Sequence, residues 1–182
     1  EITVIKNKYA DERRTAISAD EEDLDIEDLI EDEKVVVTLT HFGYIKRLRA
    51  DTYKAQKRGG KGITGLSTRE EDFVETLFVT STHNFILFFT NLGRVFRIKA
   101  YQIPEAGRHA KGTAIVNLLQ LDPGESVTAV IPIEEYKEGL YLILVTKNGT
   151  IKKTDLMEYD NIRKGGLIAV NLKENDELID VK

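Results

Sequence analysis

Residues 36–48 read VVTLTHFGYIKRL, residues 86–98 read ILFFTNLGRVFRI, and residues 142–154 read LILVTKNGTIKKT. Aligned, they place Thr40, Thr90 and Thr146 in register and Gly43, Gly93 and Gly149 three residues later, at spacings of 50 and 56. Each copy is an apolar run, a short turn ending in glycine, and an alternating apolar and basic run, which is the pattern of a β-hairpin. A second shared element follows: KG at 61–62 before ITGLS, KG at 111–112 before TAIVNL, and KGG at 164–166 before LIAVNL, where Asn117 and Asn171 correspond. A third is centred on Val74, Val127 and Ile179. Four short strands in ~50 residues make one blade of a propeller-like array. The predicted fold is therefore all-β, with about three four-stranded antiparallel blades across residues 35–182. Ile45, Val95 and Ile151 should be buried, and the three glycines should sit in turns. Such an array is open, so a terminal blade should leave one sheet edge unpaired or lend it to a neighbour.

The first 34 residues follow another pattern. Ile2, Ile5 and Tyr9 fall at helical spacing, and carboxylates dominate from Asp20 to Glu33. We read a short helical remnant and an acidic linker. The linker is either a solvated tether or an intramolecular competitor that mimics phosphates. Long helices have little support after residue 34.

Composition narrows the function classes. At 41% hydrophobic and 31% charged residues, the 182-residue chain has the balance of an ordinary globular protein. With no cysteine, it has no disulfide framework, cysteine zinc site or thiol catalyst. Its longest apolar run is Leu140 to Val145, far short of the ~20 residues a membrane helix needs. Nothing at the N-terminus resembles a signal peptide, so a cytoplasmic location is expected.

The formal charge of −5 hides an uneven distribution. Residues 1–34 hold 13 Asp/Glu against 5 Lys/Arg, whereas residues 35–182 hold 21 Lys/Arg against 18 Asp/Glu. Between 35 and 61, Lys46, Arg47, Arg49, Lys54, Lys57, Arg58 and Lys61 face Asp51 alone. Such clustering is the electrostatic footprint of a polyanion partner. The densest motif is Gln56-Lys57-Arg58-Gly59-Gly60-Lys61-Gly62. Glycines without side-chain bulk let backbone N–H groups and flanking cations approach a phosphate, although a solvated surface loop would look the same. The spacing is not that of a P-loop.

Further cations recur at blade spacing: Lys46/Arg47, Phe96/Arg97 and Lys152/Lys153 are equivalent pairs, with Arg94, Lys99, Arg108, Lys111, Arg163 and Lys164 nearby. With Arg49 and Lys54 these are the candidate DNA-binding residues. His41, His83 and His109 are scattered without metal-ligand spacing, and Glu70-Glu71-Asp72 reads as a solvated turn. No catalytic residue or metal site is expected.

In QKRGGKG the chain resembles the C-terminal domain of the DNA gyrase A subunit. The heptamer fits that family's box, Gln-(Arg/Lys)-Arg-Gly-Gly-(Arg/Lys)-Gly, at all seven positions, and the repeats fit the blades of its β-pinwheel. DERRTAI at 11–17 resembles the segment leaving the breakage-reunion domain, and EEDFVETL, THNFILFFTNLGRVF, YQIPEAGRHAKG and IVNLL are also similar to this family. The resemblance implies that residues 1–34 end that domain and link it to a partial pinwheel at 35–182. It implies a partner in double-stranded DNA, wrapped on a basic perimeter so that an ATP-dependent type IIA topoisomerase can introduce negative supercoils. It further implies assembly with the rest of gyrase A and with gyrase B as an A2B2 heterotetramer on the bacterial chromosome, with no membrane. The nucleotide, the magnesium and the catalytic tyrosine would lie on other domains or subunits, with no cofactor here. The family's pinwheel has about six blades, whereas three hairpin copies are present. Two rivals are the C-terminal domain of the topoisomerase IV A subunit, which lacks a complete box, and a protein-interaction propeller whose cations serve solubility.

Overall fold

The three quoted stretches fold as hairpins of matching register. In the computed structural model, which describes residues 1–11, 26–52 and 72–182, they are β1 (Lys34–Thr40) with β2 (Tyr44–Arg49), β4 (Phe85–Thr90) with β5 (Arg94–Lys99), and β8 (Tyr141–Thr146) with β9 (Ile151–Asp155). Val37 pairs with Arg47, Leu87 with Arg97 and Ile143 with Lys153. The third shared element forms the strand beside each hairpin: β3 (Val74–Ser81) on β1, β7 (Val127–Ile133) on β4, and β11 (Leu178–Val181) on β8. Helix α1 (Ile2–Tyr9) buries no side chain. No helix among the described residues is long and apolar enough to cross a membrane.

The second shared element departs from the repeat-by-repeat expectation. Thr113–Ala114 (β6) lies beyond the second hairpin in sequence yet pairs with β2 of the first, and Leu167–Ile168 (β10) lies beyond the third yet pairs with β5 of the second. The sheets therefore run β3-β1-β2-β6, β7-β4-β5-β10 and β11-β8-β9. Each repeat donates its short strand to the sheet before it, so neighbouring blades are hydrogen-bonded together. This explains the third blade, which has three strands where four were expected. Among the described residues nothing pairs with the outer edge of β9, the kind of open edge the repeat pattern anticipates.

The same exchange corrects one burial expectation. Ile45 and Val95 are fully buried, but Ile151 is 68% exposed. Thr113 of β6 pairs with Ile45 and Leu167 of β10 pairs with Val95, whereas no described strand covers Ile151.

Two apolar layers result. Val35, Val37 and Leu39 of β1 meet Ile86 and Phe88 of β4 in one, while Leu87 and Phe89 turn to the other and meet Leu142 and Leu144 of β8. The middle sheet thus buries both faces, which is why ILFF is continuously apolar, whereas β8 alternates buried and exposed residues.

Each hairpin turn is closed by its threonine and glycine. The Thr40, Thr90 and Thr146 hydroxyls accept from the amides of Tyr44, Arg94 and Thr150, at 3.1, 3.3 and 3.1 Å. The glycines adopt φ of +77°, +76° and +82°. A buried carboxylate completes each turn. Thr90 donates to Glu125 at 2.6 Å, Thr146 donates to Asp176 at 2.7 Å, and Asp72 accepts from the Phe42 amide at 3.1 Å. Asp72 is 6% exposed, so its part of the acidic triplet is a turn anchor and not a solvated turn. Burial pushes the Asp176 carboxyl up, but hydrogen bonds from Thr146 and the amides of Asn148 and Glu177 outweigh this and hold it below the usual carboxylate range.

Candidate nucleic-acid interface

The equivalent cations alternate along β2, β5 and β9 and so share one side of their strands. Their head groups have different fates. Lys46 is 1% exposed, and its ammonium donates to the carbonyls of Gly107, Arg108 and Ala110 at 2.9, 2.8 and 2.9 Å. Burial lowers its pKa below the ordinary lysine value. This corrects the expectation that Lys46 faces a phosphate. It clamps from within the loop that carries Arg108 and Lys111. Lys46→Met should keep the stem and lose three charge-assisted bonds, lowering stability by about 2 kcal/mol after the relief of a desolvated charge. Urea unfolding measures this, and an unchanged midpoint would mean that the clamp contributes nothing.

Arg47 and Arg97 are latches between units. Arg47 donates through Nε to the Ile103 carbonyl at 2.7 Å and lies 3.6 Å from Glu105. Arg97 donates to the Asp160 carbonyl and stands 3.3 Å from its carboxylate, stacked 4.3 Å over the Phe85 ring. In both, a cation of one hairpin holds the segment after the next unit's last long strand. Their recurrence at blade spacing therefore has an architectural cause. Arg94 is still more engaged, bonding Asp122 and Glu125 at 2.8 Å and the carbonyls of Gln120 and Gly165. Lys99 donates to Glu27 and to the His83 carbonyl, both at 2.8 Å, and Arg49 pairs with Glu33 at 2.9 Å and Asp51 at 3.6 Å.

The remaining candidates lie further out. Arg163 and Lys164 are exposed, and Lys164 lines a groove of ≈ 370 Å³ together with Arg97, Gln102 and Asn117. Lys152 and Lys153 are exposed on β9, Lys152 donating to the Ala169 carbonyl at 2.6 Å and Lys153 lying 3.7 Å over the Tyr141 ring. Lys111 covers the Tyr44 ring at 3.4 Å, and Arg108 is partly buried. Cations held over aromatic faces keep their charge while their stems are fixed, which reduces the entropy lost when an anion arrives. Lys54 and the heptamer Gln56 to Gly62 lie outside the described residues.

A β-array of interlocked hairpins with cations set outward at blade spacing corresponds to one family. The model of the DNA gyrase C-terminal domain, β-propeller, matches residues 34–81, 84–134 and 140–182, one match for each hairpin unit. The chain belongs to this family. Gyrase C-terminal repeats of close sequence occur in the DNA gyrase A protein of Clostridium acetobutylicum, 63% identical over all of this chain and 22% of that protein. The chain thus spans about a fifth of the length of the curated relatives it matches. Among solved structures, a DNA topoisomerase IV C-terminal domain is 29% identical with a TM-score of 0.71, over 84% of this chain and 46% of that one. A DNA gyrase A C-terminal domain is 27% identical with a TM-score of 0.62, over 82% and 47%.

Two features of this gyrase-family surface are not apparent in the sequence. The carboxylates Asp72, Glu125 and Asp176 each stand two residues before the start of a blade's last strand, a periodic signal hidden among many solvated acids. The docking of Glu27 and Glu33 onto Lys99 and Arg49 leaves no signal, because it joins residues 72 and 16 positions apart.

Proposed function

We propose that this chain is the DNA-binding and DNA-wrapping part of a DNA gyrase A protein. It acts with the rest of gyrase A and with gyrase B in an A2B2 enzyme of the bacterial cytoplasm, whose ATP-driven strand passage introduces negative supercoils. The observation that carries the reading is the complete heptamer QKRGGKG at 56–62 within a chain of this family. Overall shape supports gyrase and topoisomerase IV C-terminal domains about equally, so the heptamer decides between them. No step of bond cleavage is assigned to this chain, and nucleotide and magnesium belong to other parts of the enzyme.

The physical task is to offset the cost of curvature. Bending 20–30 base pairs by 40–90° costs on the order of 1–6 kcal/mol, so many phosphate contacts along a curved surface must repay it. An array of blades offers contacts at regular intervals, and the latches that fix blade to blade keep that curvature from relaxing under load. The affinity should be insensitive to sequence, because phosphate contacts position DNA without reading bases.

The exposed cations supply the test. Arg163→Ala with Lys164→Ala should weaken binding equally on unrelated duplexes and flatten the slope of log K against log[salt] by about 1–2 units, at ~0.9 per phosphate neutralised. Fluorescence anisotropy on two unrelated duplexes across a salt series reads both quantities. A salt-independent affinity in the unsubstituted chain would favour the protein-interaction propeller instead.

A further inference from the structure

The acidic segment after the N-terminal helix is docked on the basic surface. Residues 26–33 carry five carboxylates, and two of them meet candidate DNA-binding cations from different hairpins. Glu27 accepts from the Lys99 ammonium at 2.8 Å and lies 3.8 Å from His83 Nδ1, while Glu33 pairs with Arg49 Nε at 2.9 Å. The backbone between them is fastened to the turn linking β3 and β4. His83 Nε2 donates to the Ile30 carbonyl at 2.8 Å, and the Thr82 hydroxyl donates to the Glu31 carbonyl at 2.8 Å. The Thr82 amide donates to the Glu33 carbonyl and the Glu33 amide to the Thr82 hydroxyl, both at 3.0 Å. The Ser81 hydroxyl bonds the Asp32 carboxylate. A solvated tether would need none of this.

The two ion pairs are also unlike ordinary surface pairs. The Lys99 and Glu27 side chains are 19% and 27% exposed, and the Lys99 ammonium sits 4.0 Å from the centre of the Phe85 ring. Partial burial limits screening by salt, so the pair is held more firmly than an exposed one. A phosphodiester oxygen carries the same single negative charge as a carboxylate and accepts from the same donors. We propose that Glu27 and Glu33 are built-in phosphate surrogates: segment 26–33 occupies the Lys99 and Arg49 stretch of the basic surface, and duplex DNA must displace it to bind there. This rests on the DNA-binding reading above and adds an intramolecular competitor to it. The chain's affinity for a short duplex is then the intrinsic affinity reduced by the cost of displacement, and only DNA long enough to recover that cost elsewhere engages the full surface.

The experiment compares the 182-residue chain with its E27Q, E33Q and E27Q/E33Q variants. A ~40-base-pair duplex is titrated across a salt series, and thermal melts confirm folding. E138Q/E174Q, which removes two exposed charges elsewhere, controls for net charge. The double variant should bind about 3- to 10-fold tighter near 100 mM salt, with a slope steeper by about 1–2 units because two more phosphates are neutralised. E27Q alone should show about half of that change in slope even if E33Q fails to fold. The proposal is overturned if the unsubstituted chain shows salt-dependent binding but the Glu27 and Glu33 variants match it, or if E138Q/E174Q gains as much. Tight binding by E27Q/E33Q where the unsubstituted chain binds weakly supports it strongly. Absence of salt-dependent binding in every variant overturns the DNA-binding reading itself, and this inference with it.

Discussion

Gly112→Ala is expected to lower the stability of the array by about 3–4 kcal/mol, combining a disfavoured left-handed backbone with a clash that the core cannot absorb. Gly112 has φ +91°, and a Cβ there would stand 2.6 Å from the Ile45 carbonyl oxygen and 3.2 Å from the Lys46 Cβ. Neither neighbour can yield cheaply. The Ile45 carbonyl belongs to β2, whose pairing with β6 runs through Ile45 and Thr113, and Lys46 is fixed by its three carbonyls. The alanine would therefore push the donated strand off the sheet that receives it. Gly124→Ala is the control, since Gly124 has φ +80° with nothing within 4 Å of its added Cβ and should cost only about 1 kcal/mol. Denaturant unfolding of the two variants separates steric from conformational cost. Equal losses would mean that the strand exchange does not depend on close approach at Gly112.

Replacing Lys57, Arg58 and Lys61 together by alanine should abolish supercoiling by the complete enzyme while leaving relaxation largely intact. Three of the 21 cations in residues 35–182 are removed, so affinity for a short duplex should fall only modestly. A bend is different, because the elastic energy stored along the whole path must be held by the contacts at its end. The loss should therefore fall on curvature more than on affinity. Supercoiling and relaxation assays on the reconstituted enzyme, with energy transfer between the ends of a ~150-base-pair duplex, read the two effects apart; that length is about one persistence length. Survival of both supercoiling and bending would make the heptamer a passive loop and remove the ground for preferring gyrase over topoisomerase IV.

The substitutions differ in which part of the molecule they interrogate, and so does their legibility. The heptamer is a contiguous string and is legible directly. Gly112 is visible as part of a repeated KG, but its reason is not, since the atoms it must clear belong to a strand 67 residues earlier. Among the cations, exposure and engagement prove independent of the pattern. Lys46 and Lys152 are equivalent in the repeat, yet one is sealed under three carbonyls and the other lies exposed on an edge strand. Arg47 and Arg97 recur because each must hold the next unit, so a periodic charge is an ambiguous sign of a periodic ligand.

By itself the sequence determined the hairpins, their register and the all-β class, because a turn glycine, a threonine four residues before the amide it caps, and alternating side chains act within a dozen residues. It also determined the basic heptamer and the family. Only the tertiary structure decided that each short strand crosses to the preceding sheet, that Ile151 is left exposed, and that Glu27 and Glu33 lie on Lys99 and Arg49. These are choices of partner between residues distant in the chain. A strand's pattern states that it needs a neighbour, and a cation's charge states that it needs an anion, but hydrogen bonds and Coulomb attraction carry no record of sequence distance. The partner taken is the one that packing brings within about 3 Å.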